Sequence, residues 1–121
     1  MKITVSGDTV NVSGINELAT ATANSFQNEL QAALPAGVRR IEIDFSETDF
    51  VDCGGLGALV AVRKCARRRC GDVAIRLLNP PQPLERMMSL LRMDNAFDID
   101  HRDYPERPIS SIAGEETALV A

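Results

Sequence analysis

A chain of 121 residues, 45% of them hydrophobic, has enough material for one domain with its own core. Its formal net charge of -4 is opposite in sign to the balance of most nucleic-acid-binding proteins, so we expect no nucleic-acid partner. The longest apolar run, residues 56–62, is too short to cross a membrane, and the N-terminus lacks the apolar stretch of a secretory signal. Three cysteines without a CxxC pair predict reduced thiols in a cytoplasmic protein.

The first half of the chain predicts two strands, a helix and a third strand. The segments "MKITVSG" and "TVNVSG" alternate apolar and polar residues, which predicts a pair of strands joined by a tight turn. Apolar residues at helical spacing predict a helix over residues 15–34, and "VRRIEIDF" predicts the next strand. A second helix is predicted from about Gly55 to Cys70, where Gly71 is suited to end it.

The second half continues the alternation of strands and helices. "DVAIRLLN" predicts a strand, "LERMMSLLRM" an amphipathic helix and "NAFDID" a short final strand. The inner stripe of this helix is predicted to contain Leu84, Met87, Met88 and Leu91. We therefore expect one α/β domain over residues 1–101, with a mostly parallel sheet of four or five strands, an N-terminal β-hairpin and three or four helices. Residues 102–121 form a polar segment with a short helix predicted at "GEETALVA".

The segment "DFVDCGGLGALVAV" joins a predicted strand end to the start of the second helix. Asp52 suits the N-cap, because the first N–H groups of a helix lack internal partners and carry partial positive charge. Gly54 and Gly55 allow another backbone to come close, or simply make the tight turn. Cys53 has three interpretations: a small buried residue, a redox-sensitive thiol or a nucleophile, which would need a general base. Because the one histidine, His101, lies near the polar tail, we expect no enzyme activity.

Two charged clusters have ordinary structural explanations. The acidic residues around one strand end, without His or Cys ligands beside them, indicate surface loops rather than a metal site. These residues are Asp44, Glu47, Asp49 and Asp52. Cations near the end of the second helix suit its dipole and indicate a solvated face. They are Arg63, Lys64, Arg67, Arg68 and Arg69. We predict neither a metal nor a cofactor.

Residues 9–101 resemble a STAS domain, the fold of bacterial anti-sigma factor antagonists. "IDFSETDFVDCGGLGAL", "LLNP" and "MDNAF" follow that family's patterns DLS-x-x-x-x-x-DSSGLG-x-L, LVNP and Gly-Leu-Asp-x-x-F, and "GINELATA" resembles its "GEIDAATA". In the family, the residue after the aspartate is a serine that a partner anti-sigma kinase phosphorylates. Here Cys53 occupies that position and Gly54 follows, so the resemblance implies that the usual phosphoacceptor is absent. The aspartate of "GEIDAATA" corresponds to Glu17.

The resemblance implies a non-enzymatic regulator that binds a protein partner, an anti-sigma factor of the serine-kinase-like ATPase type. One alternative is the cytoplasmic STAS subunit of a lipid-transporting ABC transporter, which binds its ATPase, because "VDCGGL" resembles the "VDTGGLALL" of that branch. A second alternative is a thiol-based redox sensor acting through Cys53. The implied partner-binding residues are Glu17, Asp52, Cys53, Gly54, Gly55, Leu56, Asn79 and Pro80. We expect Gly55→Arg to block binding and to leave the fold mostly intact.

Overall fold

A computed structural model describes residues 1–93 and 95–101, and within them the chain forms seven strands and three helices. The strands are β1 (Lys2–Ser6), β2 (Thr9–Ser13), β3 (Glu17–Leu18), β4 (Arg40–Asp44), β5 (Phe50–Val51), β6 (Ala74–Leu78) and β7 (Asp98–Asp100). The helices are α1 (Ala23–Ala33), α2 (Cys53–Cys70) and α3 (Gln82–Leu90). The helix predicted at "GEETALVA" lies outside the described residues.

Five strands form one sheet in the order β1-β2-β4-β6-β7. β1 pairs with β2 in antiparallel fashion, and the other neighbours are parallel. The predicted α/β fold, with its N-terminal hairpin and mostly parallel sheet, is confirmed. The sequence pattern missed a second, two-stranded parallel ladder, β3 with β5, because strands of two residues are too short to show a period.

One face of the five-stranded sheet is buried and aliphatic. Ile41 and Ile43 of β4 and Ile75 and Leu77 of β6 are almost completely buried, and each such side chain contributes about 1.5–3 kcal/mol by leaving water. Because successive side chains of a strand alternate between faces, the intervening residues lie on the opposite, polar face. There the Glu42 carboxylate lies 3.8 Å from the Arg76 guanidinium.

Two helix predictions need correction. Helix α1 begins at Ala23 rather than near residue 15, because the preceding residues form β3 and then a turn in which the Thr22 hydroxyl accepts a hydrogen bond from the Ala19 N–H at 3.0 Å. Leu91, predicted on the inner stripe of α3, is 58% exposed because α3 ends at Leu90 and Arg92 takes a positive φ of 55°. The end of α2 is as predicted, with Gly71 at a φ of 81°.

Candidate protein-interaction site

Asp52 connects the start of α2 to the segment after β3. Its Oδ1 accepts a hydrogen bond from the Gly55 N–H at 3.0 Å, which confirms the predicted N-cap. Its Oδ2 also accepts from the Thr20 N–H at 3.1 Å and from the Thr20 hydroxyl at 3.2 Å. One carboxylate therefore holds together two segments that are 32 residues apart in the chain.

These hydrogen bonds lower the pKa of the Asp52 carboxyl from its ordinary value of 3.8. The Thr20 N–H is the main cause, the Gly55 N–H, the Thr20 hydroxyl and the Gly54 N–H add to it, and desolvation opposes it. Donors aimed at the two oxygens favour the charged form, so Asp52 is an anion at neutral pH.

The lowered pKa of Asp52 predicts a stability difference that depends on pH. Asparagine at this position still caps α2 but lacks the charge that the donors favour, so Asp52→Asn should lower the free energy of unfolding near pH 7. The contribution of the wild-type carboxylate is present above pH 3.8 and is lost as the pH falls through the lower folded pKa. Urea unfolding from pH 7 to pH 2 should show the two proteins converging below pH 3.8. A difference that stays constant over this range would contradict the assignment.

Gly54 and Gly55 are required by the chain's own packing. A Cβ on Gly54 would lie 2.7 Å from the Thr20 Cα, and a Cβ on Gly55 would lie 2.5 Å from the Leu18 carbonyl carbon and overlap its oxygen. The backbone that comes close to this double glycine is thus the end of β3 and the turn after it, residues 18–20. The expectation that Gly55→Arg leaves the fold mostly intact is wrong, because Gly55 is buried against that segment.

The eight predicted contact residues differ in exposure. Glu17 and Cys53 are exposed, whereas Asp52, Gly54 and Asn79 are half-buried. Gly55, Leu56 and Pro80 are buried, so a partner cannot contact these three residues in this structure. Leu56 faces the core, only 2% exposed, because α2 turns it toward the sheet. The Asn79 N–H donates to the Asp100 carbonyl at 2.8 Å, which ties the end of β6 to β7.

Cys53 is the first residue of α2 and is exposed, so its interpretation as a buried residue is wrong. Its Sγ lies 3.6 Å from the Sδ of Met87 on α3. The ring of His101 instead lies 3.3 Å from the Glu85 carboxylate. The described residues therefore give Cys53 no histidine as a general base.

Three residues that were not predicted as contact residues accompany the predicted ones near the start of α2. Thr20 holds Asp52, as described above. Phe50 is 53% exposed and pairs in register with Glu17 across the β3–β5 ladder. Met87, expected in the core, is half-buried beside Cys53. We call the set the corner surface, and it comprises Glu17, Thr20, Phe50, Asp52, Cys53 and Met87. The alternation of Phe50 with buried Val51 is the only sequence signal for its exposure, and a two-residue strand makes that signal weak.

The described part of the chain brings no three His, Cys, Asp or Glu residues together at metal-binding distance. Over the same residues, no helix has both the length and the apolar character needed to cross a membrane. Two of the acidic residues near β4 and β5 make hydrogen bonds within the protein. The Asp44 carboxylate accepts from the Ser46 N–H at 2.9 Å, and Asp52 accepts from Thr20 and Gly55 as described above.

This fold and corner define an α/β domain with a capped helix at the carboxyl end of a mostly parallel sheet. The family model described as "Mlab, STAS domain" matches residues 2–99, so the chain belongs to the STAS family. No curated protein sequence matches the chain.

Solved structures share the fold at low sequence identity. A putative anti-sigma factor antagonist from Thermotoga maritima is 21% identical, with a TM-score of 0.70, and the match covers 87% of this chain and 88% of that one. The anti-sigma factor antagonist SpoIIAA of Bacillus, unphosphorylated, is 20% identical, with a TM-score of 0.61 and 87% and 89% covered. A sulfate transporter family protein from Wolinella succinogenes is 13% identical, with a TM-score of 0.63 and 81% of each chain covered. The neighbours thus include proteins of different roles.

Proposed function

We propose that this protein is a non-enzymatic, cytoplasmic regulator that binds an anti-sigma factor of the serine-kinase-like ATPase type through the corner surface. The observation that supports the proposal is the construction of this corner. Hydrogen bonds from Thr20 to Asp52 fix it, while Phe50 and Cys53 remain exposed. Exposed apolar groups within a polar rim are typical of protein-interaction sites.

Regulation of this interaction would differ from that of relatives with a serine at the start of α2. Phosphorylation adds between one and two negative charges at neutral pH. Beside the anionic Asp52, such a charge would change the surface that a partner meets. Cys53 has no hydroxyl oxygen to accept the group, so binding would be independent of phosphorylation at this position. Among the structural neighbours, Bacillus SpoIIAA has been solved in both the unphosphorylated and the phosphorylated form.

A capture experiment with matched variants tests the proposal. The purified protein is immobilised, exposed to a cytoplasmic extract of the source organism, and the bound ATPase is identified and titrated. Phe50→Glu replaces an exposed aromatic group of the corner surface with a charge and should weaken capture at least about tenfold. Val5→Glu makes the same change at a 50%-exposed position of β1 and should have no effect. Equal capture by Phe50→Glu and the wild type would refute the corner surface as the binding site.

The second candidate is the STAS subunit of a lipid-transporting ABC transporter. Two observations favour it: the double glycine at Gly54 and Gly55, and the "Mlab" description of the matching family model. The same capture experiment separates the two candidates. A histidine-kinase-like ATPase on the column supports the anti-sigma antagonist, and an ABC ATPase supports the transporter subunit.

The exposure of Cys53 keeps the thiol-based redox sensor as a third candidate. A sensor thiol is reactive because it ionises easily. Cys53 should then react with iodoacetamide near pH 7 faster than a model thiol, and mild peroxide should abolish partner binding. A labelling rate equal to that of the model thiol would eliminate this candidate.

A further inference from the structure

The outer face of α2 divides into an apolar half and a basic half. The helix has 18 residues and is therefore about 27 Å long. Its first half turns small or apolar residues outward, and its second half turns cations outward. In the first half these are Cys53, Gly57, Val60 and Ala61, and in the second half they are Lys64, Arg67 and Arg68. We call these seven residues the α2 outer face.

Gly57 leaves space for the backbone of a partner on the apolar half of the α2 outer face. It is exposed, and a Cβ at this position would meet nothing within 4 Å. Glycine is unfavourable in the interior of a helix, and at Gly57 no contact within the described chain explains its presence. Leu90, the last residue of α3, is also 82% exposed. The absence of a side chain at Gly57 allows a partner segment to lie directly against the helix.

The basic half contains cations with little compensation from the part of the chain that the structure describes. Arg63 and Arg69 use their side chains internally, donating to the Ala96 and Gln31 carbonyls at 3.0 and 3.1 Å. Arg67 has an acidic neighbour, but this is the fully exposed Asp72 at 3.5 Å, and such pairs contribute little. Lys64 and Arg68 make no ion pair with any described residue.

The opposite charges at the two ends of α2 indicate what kind of partner fits this face. Asp52 caps the start of the helix as an anion, and Glu17 is exposed on β3, the strand that packs against this start, whereas the last turns are cationic. Anionic lipid and the nucleic-acid backbone both carry uniform negative charge, so they would be repelled at one end while being attracted at the other. A protein segment with its carboxylates confined to one end meets no such repulsion.

We infer that the partner binds along α2 with an apolar stretch over Gly57 followed by acidic residues that pair with Lys64, Arg67 and Arg68. This inference rests on the proposed function and specifies the chemistry of the partner segment and its direction along the helix. Charges at the rim of an interface mainly set orientation and the rate of association. The interaction should therefore weaken as salt concentration rises.

Zero-length crosslinking tests this pairing directly, because Lys64 is one of only two lysines in the chain. A water-soluble carbodiimide activates a partner carboxylate, the Lys64 amine attacks it, and an amide forms as the urea leaves. In the captured complex, the wild type and Lys2→Arg should give the same crosslinked product. Lys64→Arg keeps the charge but should lose that product. A product that persists in Lys64→Arg would overturn the inference.

Charge reversal gives a second, independent readout on the same complex. Lys64→Glu/Arg68→Glu should weaken partner binding about tenfold. Lys2→Glu/Arg40→Glu changes the net charge equally at exposed positions of β1 and β4 that do not belong to the α2 outer face, and it should leave affinity unchanged. An unaffected affinity in the first pair, with capture still sensitive to Phe50→Glu, would overturn this inference alone. If the wild type captures no protein, both the proposed function and this inference would be overturned. Binding to phosphatidylglycerol vesicles or duplex DNA that depends on Lys64 and Arg68 would also refute an acidic protein partner.

Discussion

Replacing Gly55 with alanine should destabilise the protein by about 3 kcal/mol, near the upper end of the usual cost of overpacking. The added Cβ would overlap the Leu18 carbonyl oxygen, which is backbone and has no other rotamer to adopt. Relief requires α2 to move away from β3, which also stretches the hydrogen bonds between Thr20 and Asp52. Urea unfolding followed by circular dichroism measures the change in the free energy of unfolding.

Gly57→Ala is the matched control for this prediction. The same methyl group is added two residues further along α2, where nothing lies within 4 Å. Alanine is the better residue in a helix interior, so this variant should be more stable than the wild type by about 0.5–1 kcal/mol. If Gly55→Ala were as stable as Gly57→Ala, the close approach of β3 to α2 would be wrong.

Gly57→Arg should weaken partner binding at least about 100-fold, which corresponds to about 2.7 kcal/mol, and leave the fold intact. The long side chain would project from the α2 outer face into the space that we assign to the partner. Its positive charge favours an acidic partner, so a loss of affinity reports the steric block. Titration of the captured ATPase by calorimetry, alongside thermal unfolding of the variant, separates binding from stability.

Ala32→Arg is the corresponding control, because Ala32 is exposed on α1, outside both proposed contact surfaces. It should bind as the wild type does. Wild-type affinity in Gly57→Arg would exclude the start of α2 as a contact region. Loss of affinity in both variants would indicate a partner surface that extends over α1.

The elements that the sequence predicted well are those with long, consistent patterns. The apolar residues of β2, β4 and β6 and the long apolar segment of α2 reflect a sheet with one buried face and a helix packed on it. The region before α1 was mispredicted because Ile15, Leu18 and Ala19 are also buried, but from a strand and a turn rather than a helix. A buried segment is rich in apolar residues whether its backbone forms a strand, a turn or a helix, so apolar residues alone do not identify the conformation.

The candidate site was only partly predictable, for a related reason. Asp52 could be assigned as an N-cap from residue type and position, since that contact lies within three residues. Its second partner, Thr20, is 32 residues away, and no local pattern links the two. The requirement for Gly55 likewise arises from the Leu18 backbone on another element. Contacts between distant segments decide which residues of a motif are accessible, and they become visible only in the folded chain.

The shared carboxylate of Asp52 has a consequence for local motion. The Thr20 and Gly55 amide protons both point at this one group, so an opening that displaces the carboxylate exposes both of them to solvent. Their hydrogen–deuterium exchange should therefore rise and fall together. A bound molecule that favours the closed arrangement would slow both amides by the same factor, and the loop after β3 would report events at the beginning of α2.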